Sequence, residues 1–159
     1  MQTNELLVKM IFDRWYSLIK NGDDFLTTVS DETLAKEIVP GKNRGVYLLG
    51  HLVAVHDAML PLLDLGDKLY PELYEPFVKS PDKAVDEIPT VKELRVMWTH
   101  LNEVMKSKFE ILPAEAWFEK HTAVSAEDFA KEPQRNKLNI ILTRTTHLSY
   151  HIGQLLLLK

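Results

Sequence analysis

The sequence predicts an all-α fold: an up-and-down four-helix bundle forming one domain over residues 1–159. Three observations lead there. Four long stretches repeat apolar residues at helical spacing. The joints between them are polar or rich in proline. No stretch alternates apolar and polar residues over the length of a strand. Four amphipathic helices bury their stripes best against one another. A chain of 159 residues is long enough to fill one such core.

The first helix is expected from about Asn4 to Val29, with Leu7, Ile11, Leu18, Phe25 and Val29 on one stripe; Asn21-Gly22 marks a kink or a break. Ser30, followed by Asp31 and Glu32, predicts an N-cap and a short helix ending before Pro40. The second long helix is expected from Arg44 to about Leu65, capped by Gly66. Tyr70 to Pro89 holds four prolines and reads as an irregular crossover. Thr90 caps a third helix running to Leu112, with Leu94, Trp98, Leu101, Met105 and Phe109 on one face and Lys and Glu on the other. A long connection carrying Trp117, Phe118 and Phe129 leads to a fourth helix, from about Gln134 to the C-terminus.

Composition narrows the function. With no cysteine, a disulfide framework, a thiolate metal site and a cysteine nucleophile are all excluded. The 19 basic and 23 acidic residues are interspersed, and no basic block favours nucleic acid. The longest uncharged run, Thr145 to Leu158, is shorter than the roughly 18–20 residues of a membrane span, and the N-terminus lacks the pattern of a signal peptide. A cytoplasmic protein without nucleic-acid or membrane partners is the expectation.

The second and fourth helices are unusual. Neither Val46–His56 nor Thr145–Leu158 holds a charged residue. Such helices are buried on more than one side, against a pocket, a subunit interface or both. His147 and His151 stand at i, i+4, which places two imidazoles one turn apart on one face, the spacing for two ligands of one metal. Buried neutral imidazoles need partners, and a metal supplies them. A third ligand is offered by His51 or His56. These lie five residues apart, about 140° around the helix, so only one of them faces the pair. The wheel puts His56 in the apolar stripe and His51 at its edge. His56 also reads as a hydrogen-bonded core histidine, and the pattern alone leaves the choice open. His100 and His121 read as surface residues.

Two segments carry a resemblance. GVYLLGHLVAVHDAML matches an aliphatic turn followed by His-Leu entering the second helix, and THLSYHIGQLLLL matches a C-terminal HxxxHxGQ followed by aliphatics. In this order and separation, and with the long first helix leading into VSDETLAKEIVPGKN, the chain resembles the DinB/YfiT-like superfamily of metal-dependent enzymes across nearly its whole length. The resemblance implies a four-helix bundle with a three-histidine metal site on His51, His147 and His151, so it selects His51 against the wheel. It also implies a divalent metal (zinc, nickel or iron), and a transferase or isomerase using a low-molecular-weight thiol, or a related hydrolase, acting on a small molecule. Three nitrogen ligands leave positions open for substrate, the layout of a catalytic centre. Arg44 or Arg144 would receive a cofactor carboxylate, and Asp57 and Glu103 are the carboxylates considered for a general base, each also readable as a surface charge. A non-enzymatic protein of the same fold is the competing reading. A homodimer is expected, through the stripe Leu138, Leu142, Ile152 and Leu156, which lies opposite the two histidines on the wheel.

Overall fold

The computed structural model describes residues 3–159. Four long helices carry nearly half of the chain: α1 (Thr3–Thr28), α3 (Gly45–Asp57), α5 (Val91–Glu110) and α7 (Lys137–Leu155). Short helices lie between them: α2 (Asp31–Leu34), α4 (Met59–Leu62) and α6 (Ala126–Lys131). Among the described residues there is no strand, only two isolated bridges, Glu37 to Arg44 and Lys120 to Asn136.

Local chemistry explains most boundaries. The Ser30 side chain accepts from the Thr33 amide and starts α2. Thr90 opens α5 with a full capping box, its hydroxyl accepting from the Glu93 amide while the Glu93 carboxylate accepts from the Thr90 amide. Asn136 caps α7, which begins at Lys137, three residues later than expected. α1 runs through Asn21-Gly22 without a break. Gly22 is there for contact, since a Cβ at this position would lie 3.1 Å from the Trp98 ring. The helix expected over residues 44–65 is interrupted at Ala58. Pro61 has no amide hydrogen to give the Asp57 carbonyl, and the chain resumes as the short α4.

One core joins the long helices, built on Trp15, Leu49, Leu52, Val53, Leu94, Trp98, Leu101, Ile141 and Leu148. The Ala114–Phe118 turn seals one end, with Trp117 edge-on to Phe12 and Phe109. The residues that touch across the helices give their directions. Trp98 bonds Asp23 while Phe109 meets Phe12, so α5 runs antiparallel to α1. Gly45 meets Leu158 while His51 meets His147 and His151, so α3 runs antiparallel to α7. Gly22 faces Ile152 and Phe25 faces Lys159, while the start of α7 is tied to the chain just after Trp117, which packs on Phe12; α1 and α7 therefore run the same way. The order is up-down-down-up, and this corrects the simple alternation of an up-and-down bundle. The crossover between α4 and α5, through a 3₁₀ turn at Pro71–Leu73 and a π-helical turn at Glu75–Lys79, carries the chain back so that α5 parallels α3.

α3 is the central helix. From Gly45 to Asp57 every residue is buried except Tyr47 and His51, which are half-buried. The stretch Gly45–Leu62 is long and apolar enough to cross a membrane by length and composition, and 72% of it is buried inside the fold. α7 is not covered on two opposite sides. Leu138, Ile141, Thr145, Leu148, Ile152 and Leu155 form one buried face, and His147, His151 and Gln154 form a half-buried face next to it. The stripe proposed for a dimer therefore divides: Leu138 and Ile152 belong to the core, whereas Leu142 and Leu156 are exposed.

Candidate metal centre

The structure brings His51, His147 and His151 together. Nε2 of His147 lies 3.1 Å from Nε2 of His51 and 3.1 Å from Nε2 of His151. The three ligand atoms all fall within 4.8 Å of one another, close enough to share one ion. The rings meet at centroid distances of 4.4 to 5.1 Å.

Each ring is aimed from behind. His51 Nδ1 lies 2.7 Å from the Phe77 carbonyl, which can only accept, so that nitrogen carries the hydrogen and Nε2 presents a lone pair. His151 Nδ1 lies 2.7 Å from Gln154 Oε1, which fixes the same tautomer. Gln154 is braced in turn by Tyr150, its Nε2 donating to the phenolic oxygen at 3.3 Å. Such outer partners orient metal-binding histidines and raise their basicity. The Phe77 contact depends on Gly50. Any Cβ there would overlap the Phe77 ring, so glycine is what lets the π-helical turn approach α3 closely enough to hold His51.

The protons show that these nitrogens do not satisfy one another. Two Nε2 lone pairs point at His147 Nε2, which has at most one hydrogen to offer. His147 Nδ1 is buried without a partner. A cation bound by all three removes the conflict. With metal–nitrogen bonds of about 2.0–2.1 Å, nitrogens at right angles lie about 2.9 Å apart and nitrogens at tetrahedral angles about 3.3 Å apart. The 3.1 Å separations fall between the two. Burial holds all three imidazoles below the usual histidine range, and the other two rings and Arg144 push His147 further, to about 4. The site is thus kept neutral, the form that binds metal. A shallow cleft on α7, lined by Asn139, Leu142, Thr143, Thr146, His147 and Tyr150, borders His147.

The remaining candidates fall elsewhere. His56 is fully buried between Trp15 and Trp98, with the Asn102 side chain as its polar partner at less than ideal hydrogen-bond geometry, so it is a core histidine and lies outside the cluster. His100 is exposed and pairs with the Tyr70 hydroxyl. His121 is half-buried, with Nδ1 enclosed, rather than a surface residue. Asp57 is neither on the surface nor free. It is fully buried and accepts from the Leu69 and Tyr70 amides, pinning the crossover to α3. Glu103 lines a separate cleft of about 400 Å³ between α1 and α5, which contains none of the three histidines. Arg44 is held by Asp82 through two nitrogens, the closer at 2.6 Å. Sequence reasoning missed Phe77 and Gln154. The GQ after His151 was a usable sign for Gln154, whereas a backbone carbonyl leaves none.

No protein-family model matches the chain, and no curated protein matches it.

Proposed function

We propose that this protein is a metal-dependent enzyme with a three-histidine centre, a four-helix bundle of the DinB/YfiT-like type, acting on a small molecule as a thiol-dependent transferase or a related isomerase or hydrolase. The observation that carries this reading is the convergence of three Nε2 atoms, two of them with tautomers set by Phe77 and Gln154. The residues fit a divalent ion such as zinc, nickel or iron(II), all of which accept imidazole. His51, His147 and His151 would hold it. An ion bound there supplies Lewis acidity, making a thiol or water a nucleophile near neutral pH. The protein's own part is to keep the imidazoles neutral and fix their orientation. Among the described residues no carboxylate belongs to the cluster, so a proton released in the reaction leaves through solvent or the substrate.

Two measurements on untagged protein test this. Elemental analysis should find one divalent ion per chain. Conjugation of a small thiol to an activated aryl halide should then require that ion. A chain that binds no metal, or is equally active after chelation, would contradict the reading.

We also infer a homodimer formed through the outer face of α7, where Leu142, Tyr150, Leu156 and Leu157 are exposed. Light scattering at micromolar concentration should give twice the chain mass; the single-chain mass would remove the dimer without touching the metal centre.

A further inference from the structure

Arg144 has no task in the fold. It stands on α7 at i−3 from His147 and i−7 from His151, so Arg144, His147, His151 and Gln154 form one half-buried stripe facing the centre. Other arginines are accounted for. Arg44 is clamped by Asp82. Arg95 reaches Asp31 and the Leu26 and Val29 carbonyls. Arg135 pairs with Glu132. Arg14 is exposed. Arg144 is half-buried, and among the described residues it has no hydrogen bond and no ion pair. Its charge is felt at the site, where it helps hold His51 and His147 below the usual histidine range. A guanidinium partly withdrawn from water without an acceptor is costly, and its planar fork of donors fits a two-oxygen anion.

We propose that Arg144 is the anchor for a carboxylate on the small molecule that binds at the three-histidine centre. This rests on the metal-centre reading and narrows its substrate class. A carboxylate is favoured over a phosphate by charge. Arg144 is a single unpaired cation in the middle of a helix, since the other base on its stripe, Lys137 two turns away, is paired with Glu119, and no helix N-terminus lies beside it, so it balances one negative charge. Arg144 is a positioning and specificity residue and not a metal ligand.

The test compares mercaptoacetate with its uncharged near-isostere 2-mercaptoacetamide on cobalt(II)-loaded protein. Wild type should bind the acid about tenfold or more tightly, the equivalent of one charge-assisted hydrogen bond. Arg144→Gln should bring the two affinities together while cobalt affinity and helical content stay at wild-type levels. An acid preference that survives in R144Q would come from the metal alone and overturn the proposal. A second arm uses metal-free protein. Acetate should shift the Arg144 Nε–H resonance saturably in wild type, and no shift overturns the proposal whatever the metal does. Inorganic phosphate binding more tightly than acetate there overturns the carboxylate assignment. Failure of wild type to take up cobalt at all overturns the metal-centre reading, with the acetate shift still deciding for or against Arg144.

Discussion

α3 carries two imidazoles inward, five residues apart, into different surroundings. His51 is half-buried, and both its nitrogens are engaged, one by the Phe77 carbonyl and one by His147. His56 is fully buried between two indoles, with only the Asn102 side chain, at less than ideal geometry, to meet its nitrogens. Burial pushes both below the usual histidine range, His56 to about 3. The contrast separates burial from function. A buried histidine becomes a ligand when a second group fixes its tautomer and other donors share its focus. His56 shares no focus with other donors, and its ring acts as an aromatic filler.

The largest effect on this contrast comes from removing a ring. His151→Ala should abolish stoichiometric metal binding and leave the helical circular dichroism spectrum intact, because the centre is one feature beside a large apolar core. Loss of helix together with metal would make the ion structural and erase the distinction from His56. Next comes the support behind the ring. Gln154→Leu frees His151 Nδ1 and should weaken metal binding by about 10- to 100-fold, read by competition with a chelating dye. An unchanged affinity would mean that Gln154 does not set the tautomer.

Gly50→Ala acts on both the fold and the site. The added methyl forces the Phe77 ring away, so unfolding in denaturant should show a loss of about 1–3 kcal/mol. Metal affinity should fall as well, since the Phe77 carbonyl that aims His51 moves with the ring. A stable variant with full affinity would show that this close approach is dispensable.

His56 should give the smallest effect at neutral pH and a distinctive one in acid. The unfolded chain protonates this ring near 6.5 and the folded chain only near 3. The stability tied to neutral His56 is therefore whole above pH 6.5 and is lost as pH falls through that window. His56→Leu should change stability by less than about 1.5 kcal/mol at pH 7.5 and then lose less than wild type on acidification. Parallel pH profiles for the two proteins would show that His56 does not carry this acid sensitivity.

Much of this was legible in the sequence, for identifiable reasons. Ser30 and Thr90 act within one turn, so their caps could be read locally. The four long helices show in their apolar spacing. His147 and His151 are set by helix geometry alone. Most of what escaped depends on distant chain. Helix directions follow from where the crossover lands, which its prolines do not encode. The interruption at Ala58 follows from Pro61, which was hidden in an otherwise apolar run. Asp57 looks like a surface charge until the Leu69 and Tyr70 amides arrive from the crossover. The choice of His51 over His56 turns on Phe77, 26 residues away. The wheel could not make that choice because α3 is enclosed nearly all round.

The central claim is that three Nε2 atoms share one ion while His56 takes no part. Anomalous diffraction from crystals of the metal-loaded protein tests it most directly. The account predicts a single strong peak about 2.0–2.2 Å from Nε2 of His51, His147 and His151, and none near His56. A peak elsewhere, or the absence of one among these three rings, would contradict it.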